Sequence, residues 1–250
     1  MSKTILVTGA SGGVGRGIAV ACGRAGWDVW IAARRPEQGS AVADEVTAAG
    51  GKGHFVRCDV IDERSVRDAV QQVQTESGAL HGVVHNSTSG LSSVATPMRA
   101  VSLADLEDHI AVSVRGTYLL ARAAFPALRE SRGSFVVMTS EAGFEGKKLL
   151  AAYAMVKAAQ HGIMRSLARE WGPEGVRVNA VGPLAMTPAM ENAFVSEPAM
   201  RQRVMSRIPL RRLGDTVDDI GAAVRFLLSD DADYVTGQTL MIDGGSCPIS

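Results

Sequence analysis

The chain has 250 residues, 46% hydrophobic and 21% charged, which is enough for one α/β core and ordinary for a globular protein. Lys plus Arg and Asp plus Glu both number 26, so no net charge draws the molecule toward nucleic acid or an anionic membrane, and neither is expected as a partner. The 3 cysteines (Cys22, Cys58, Cys247) form no C-x-x-C pair or disulfide framework, and the 5 histidines show no i, i+4 zinc spacing, so no metal site is expected. No signal-peptide h-region and no apolar run long enough to span a bilayer is present, and the expected location is a reducing cytoplasm.

The first apolar run, Thr4–Thr8, is short and β-branched, which predicts a strand. It enters Thr8-Gly9-Ala10-Ser11-Gly12-Gly13-Val14-Gly15 and then a predicted helix, Gly13–Ala25. Glycines at 9, 13 and 15 allow a tight turn and close approach of backbone to a pyrophosphate, and the free N–H groups at the helix start favour an anion. Strand Asp28–Ala32 leads to Ala33-Arg34-Arg35, with no carboxylate at the position where NAD-binding folds place one. Arg34 can meet a 2′-phosphate with a charge-assisted fork, with Arg35 beside it, so NADP(H) is expected over NAD(H). In the plainer alternative, both arginines merely solvate the start of the next helix, Glu37–Ala49.

Strand Gly53–Arg57 leads through Asp59-Val60 to helix Glu63–Ser77, and strand Gly82–His85 to an irregular stretch, Thr88–Val101. Ser102-x-x-Asp105 has the form of a capping box for one long helical pattern, Leu103–Arg129. Strand Ser134–Met138, helix Tyr153–Trp171 and strand Arg177–Ala180 follow. A second irregular stretch, Leu184–Arg212, precedes Thr216-x-x-Asp219, a second box opening Val217–Leu228, and a last strand, Thr239–Ile242. Strands alternating with helices predict a Rossmann-type doubly wound parallel sheet of about seven strands, helices on both faces, with residues 1–250 as a single domain.

Tyr153-Ala154-Met155-Val156-Lys157 carries the sharpest chemistry. Positions four apart share one helix face, and a nearby ammonium favours phenolate, so Lys157 is expected to lower the Tyr153 pKa toward a useful acid–base range. Lys157 can also reach the nicotinamide ribose. Ser140 lies just past strand Ser134–Met138, at the strand end where this fold forms its crevice, and can hold a substrate oxygen as charge develops on it.

These motifs resemble the short-chain dehydrogenase/reductase family. Thr8 through Gly15 match its T-G-x-x-x-G-x-G, and Ser140, Tyr153 and Lys157 match its catalytic Ser, Tyr and Lys in order and spacing. The resemblance extends to Thr236-Gly237-Gln238 and Asp243-Gly244-Gly245. It implies that Asp59 and Val60 contact the adenine, that Asn86 and Pro183 line the cofactor site, and that Thr187 meets the nicotinamide carboxamide. Three departures stand near the site. The family's N-N-A-G is His85-Asn86-Ser87-Thr88, its catalytic Asn is Ser113, and its Pro-Gly reads Gly182-Pro183-Leu184. In the family the backbone carbonyl at position 113 helps hold a water beside the lysine. Ser113 keeps that carbonyl, and its hydroxyl is able to bond back within the helix and bend it.

The expected substrate is a small molecule with a carbonyl or alcohol carbon, a 3-oxoacyl thioester or other apolar ketone among the options. Met190, Phe194, Met200 and Met205 suit either an apolar lid or packing against the body of the protein. The arginines at 201, 203, 207, 211 and 212 suit either an anionic acyl carrier or, more simply, a solvated face. An enoyl-thioester reductase is the nearest enzymatic alternative, although such relatives separate Tyr and Lys by six residues rather than three. A non-catalytic NADP(H) sensor is the alternative from another class. The resemblance also implies a homotetramer, with Leu103–Arg129 and Tyr153–Trp171 in one interface.

Overall fold

The computed structural model describes residues 2–247 and places seven strands: β1 (Thr4–Thr8), β2 (Asp28–Ala33), β3 (Lys52–Arg57), β4 (Gly82–His85), β5 (Ser134–Met138), β6 (Arg177–Pro183) and β7 (Thr239–Ile242). They pair in parallel in the order β3-β2-β1-β4-β5-β6-β7. The chain therefore winds outward in both directions from β1 and β4, and the crevice of such a sheet opens between their carboxyl ends. Met1 and residues 248–250 of the single-domain expectation lie outside the described residues.

The helices are α1 (Gly13–Gly23), α2 (Pro36–Ala48), α3 (Glu63–Ser77), α4 (Leu103–His109), α5 (Gly116–Ser131), the short α6 (Ala142–Glu145), α7 (Ala151–Trp171), α8 (Pro188–Ser196), α9 (Pro198–Arg207) and α10 (Ala222–Leu228). Apolar side chains from α3, α5 and α7 pack on one face of the sheet, around Leu6, Val83 and Phe135. Those from α1, α2 and α10 pack on the other, around Ile5, Val7 and Val136. Strand neighbours thus bury opposite faces, which is why these strands read as continuous apolar runs. The doubly wound expectation holds.

The predicted helix Leu103–Arg129 is not uniform. Ser102 caps it as expected, accepting from Asp105 N while the Asp105 carboxylate accepts from Ser102 N. Between α4 and α5, Ile110–Arg115 widens into a π turn, which turns Ser113 wholly inward. A second π turn, Thr216–Gly221, precedes α10. Its cap is Asp215, whose carboxylate accepts from Val217 N and Asp218 N, rather than Thr216. Asp219 instead accepts from Asp215 N and pairs with Arg212.

The stretch read as irregular from Leu184 to Arg212 contains α8 and α9. Each starts with a proline at its first position, after Thr187 and Glu197 respectively. Phe194, Ile208 and Leu213 form a small core there, joined by Met190, Met200 and Met205. These residues pack against their own subregion rather than forming a free apolar lid. Of the nearby arginines, Arg203 pairs with Glu197, Arg207 with Glu145 and Arg212 with Asp219. No helix of the described residues is long and apolar enough to cross a membrane.

Candidate active site

A cavity of about 760 Å³ opens at the carboxyl ends of the central strands. The loop after β1 lines it with Gly9, Ser11, Gly13 and Val14, the end of β2 with Arg34 and Arg35, and the segment after β3 with Asp59 and Val60. Asn86 and Thr88 contribute from the end of β4, Tyr153 and Lys157 from α7, and Pro183 and Thr187 from the end of β6. Gly9 and Gly13 hold left-handed backbone (φ 63° and 54°). A Cβ on Gly9 would sit 3.0 Å from Ser87, whereas one on Gly13 would meet nothing within 4 Å. Gly9 therefore serves close packing, and Gly13 leaves the loop open to the cavity.

Gly15 lies behind this wall, where a Cβ would come 2.5 Å from Asn86 Nδ2. Asn86 ties the two central strands together by donating to Thr8 O and Gly9 O at 3.2 and 3.1 Å. Thr8 Oγ1 in turn accepts from Asn86 N. Nothing in the sequence reading singled out this role for Thr8, although Thr opens the matched motif. Thr88 keeps negative φ, so this segment does not need the backbone freedom of a glycine. Asp59 Oδ1 accepts from Ile61 N, and Thr187 Oγ1 caps α8 by accepting from Met190 N.

Tyr153 and Lys157 project from one face of α7 with Ser140 close by, and the Lys157 ammonium lies 5.6 Å from the Tyr153 ring centroid. Burial pushes the Tyr153 phenol up from its usual pKa, and the Ser140 hydroxyl counters part of that rise. The net shift is upward, opposite to the lowering expected from Lys157, because burial is the largest effect on the phenol. Lys157 is itself 3% exposed, and burial lowers its own pKa to about 7. Its Nζ donates to Met138 O at 2.7 Å and to Gln160 Oε1 at 2.9 Å.

Ser113 is behind the cavity wall, fully buried, and its hydroxyl has no hydrogen-bond partner, so it does not bond back within the helix. Its carbonyl accepts from Thr117 Oγ1 at 2.5 Å and from Gln160 Nε2 at 3.1 Å. Sequence reasoning missed Gln160. The available signal was an amide three positions after Lys157, on a helix face otherwise facing the core. His85 is also fully buried beneath the site, and burial with the nearby Lys157 charge holds it neutral, its pKa down at about 3.

A family model described as "Enoyl-(Acyl carrier protein) reductase" matches residues 9–246. A 3-oxoacyl-[acyl-carrier-protein] reductase of Staphylococcus aureus is 33% identical over 247 residues, 98% of each chain. A short-chain type dehydrogenase/reductase from Mycobacterium ulcerans superposes with a TM-score of 0.92 at 31% identity, covering 99% of this chain and 91% of that one. A 3-ketoacyl-(acyl-carrier-protein) reductase from Brucella melitensis, solved with NADH, superposes with a TM-score of 0.88 at 28% identity over 98% of both chains.

Proposed function

The chain belongs to the short-chain dehydrogenase/reductase family, oxidoreductases acting on CH–OH and C=O groups, and from that premise we propose that it is an NADP(H)-dependent carbonyl reductase. The reading treats the whole chain as one cofactor-binding domain. A single observation carries it: Tyr153 and Lys157, with Ser140 beside them, share one cavity with Arg34, Arg35 and the glycine loop.

The cavity fits a nicotinamide dinucleotide. The open backbone at Gly12 and Gly13 leads into the first turn of α1, where free N–H groups suit a pyrophosphate. The resemblance assigns the adenine to Asp59 and Val60, and Thr187 and Pro183 to the nicotinamide end. A bound nicotinamide supplies the hydride to the substrate carbon or takes it back. Tyr153 gives its phenolic proton to the substrate oxygen as C=O becomes CH–OH, one O–H bond breaking as another forms. Ser140 orients that oxygen by donating a hydrogen bond to it. Lys157 offers positive charge to the phenolate that remains, and the reverse sequence oxidises an alcohol.

Tyr153 and Lys157 lie one helical turn apart with Ser140 beside the phenol, and this supports C=O rather than C=C reduction. A second, smaller cavity of about 80 Å³ adjoins Tyr153, lined by Leu91, Val94, Leu149 and Leu150 together with Thr96, Asp105 and His109, which suits a short arm on the substrate that is mostly apolar. A 3-oxoacyl thioester is the favoured class, and the S. aureus relative supports it. The proposed assembly is a homotetramer built on α5 and α7, where Tyr118 and Met155 stand exposed. NADPH oxidation across ketones and 3-oxoacyl thioesters, with Tyr153→Phe alongside, tests the reading. The variant is expected to lose about 100-fold or more in kcat while still binding NADPH. Near-normal turnover in Tyr153→Phe rejects the mechanism.

A further inference from the structure

Gln160 is a buried amide whose donors and acceptor are all committed in one direction. It is 0% exposed, on the same helix as Lys157 and three residues beyond it. Its Oε1 accepts from Lys157 Nζ at 2.9 Å. Its Nε2 donates to Ser113 O at 3.1 Å and to Thr117 Oγ1 at 2.9 Å, and the Thr117 hydroxyl spends its own hydrogen on Ser113 O. Flipping the amide would set an NH₂ group against the ammonium and an oxygen against the Ser113 carbonyl. Both contacts are repulsive in a dry site, so the orientation is locked.

We propose that Gln160 is a positioning residue that aims the Lys157 ammonium at Tyr153. The proposal rests on the catalytic reading above. An ammonium has three hydrogens. Met138 O and Gln160 Oε1 take two of them, which leaves one directed by fixed acceptors toward the reaction side. The far end of the amide is anchored in the π turn and in α5, so the lysine is held by a second helix and not only by its own. The Ser113 carbonyl is itself held by the Thr117 hydroxyl and the Gln160 amide.

The ionisable groups facing this cluster are His85 from β4 and His109 from α4, both shifted toward the neutral form, and Glu141 at the start of α6, paired with Lys147 at 2.7 Å. None of them replaces the Gln160 acceptor at Lys157.

Gln160→Met keeps length and volume but removes the acceptor. In alcohol oxidation Tyr153 must first lose its proton, so the rate rises with pH. A less well aimed ammonium stabilises phenolate less and moves that rise upward. The expected result is a shift of about one pH unit, about a tenfold loss of kcat at neutral pH, and a substrate KM within about twofold. In cofactor-free protein, the ¹³Cε signal of Lys157 is expected to titrate at lower pH in Gln160→Met than in wild type, a readout independent of turnover. Thr117→Val, which loosens the far anchor, is expected to move both in the same direction by less. An unmoved pH limb and an unmoved Lys157 titration overturn the proposal, even if kcat falls uniformly, because that pattern marks a packing residue. If Tyr153→Phe retains turnover, the catalytic reading fails instead, and the Lys157 titration alone decides whether Gln160 holds the lysine.

Discussion

Arg34 and Arg35 follow β2 as exposed residues, and neither makes an ion pair among the described residues. A cation without a partner beside an anion site is free to take a phosphate, and one charge-assisted fork contributes roughly 1.5–3 kcal/mol. Arg34→Ala is therefore expected to raise the KM for NADPH by roughly 10- to 100-fold, with little change for NADH, read from steady-state kinetics with each cofactor. Unaltered selectivity would assign Arg34 to solvation of α2. Residue identity alone made this pair legible as a candidate, as it did Tyr153 and Lys157, because each signal lies in one short stretch. Gln160, Ser113 and Thr117 were not legible as a unit. Their hydrogen bonds join positions 47 and 43 residues apart, and no local pattern encodes such a meeting.

At the scale of elements, a glycine just past the Gly-rich loop serves packing. Gly17, one helical step beyond the motif, is buried where α1 crosses the π turn of Thr216–Gly221, and a Cβ there would run into the Thr216 carbonyl. Backbone cannot yield as a flexible side chain does, so Gly17→Ala is expected to cost about 3 kcal/mol or more of stability despite alanine's better helix propensity. A urea midpoint equal to wild type would show that the two elements separate easily. Helix and strand positions followed from periodicity, and most strands begin and end where the apolar runs do. The π turns and the α8–α9 pair were less legible. A π turn adds one residue to a helical turn without changing composition, and α8 and α9 are too short and too mixed in polarity to mark an amphipathic face.

Over the whole molecule, buried histidines make stability fall with acid. His85 is held down at about 3 and His161 at about 4, both chiefly by burial. The folded state thus refuses protons that the unfolded chain accepts below about pH 6.5. Their stabilisation is full above that pH and is lost as pH falls from 6.5 toward 4 and 3. Between pH 7 and pH 5 the fully buried His85 alone is expected to account for about 2 kcal/mol of lost stability. His85→Asn is expected to shrink the loss over that interval by about this amount, measured as the difference between urea unfolding curves at the two pH values. An unchanged difference would show that His85 takes up a proton in the folded protein. The sequence by itself determined the doubly wound sheet, the glycine loop, and the order of Ser140, Tyr153 and Lys157, since short-range periodicity and motif spacing carry that information. Only the tertiary structure decided the burial of Lys157 and His85 and the locked amide behind them. Burial and long-range hydrogen bonds exist only once α5, α7 and the central strands have packed together.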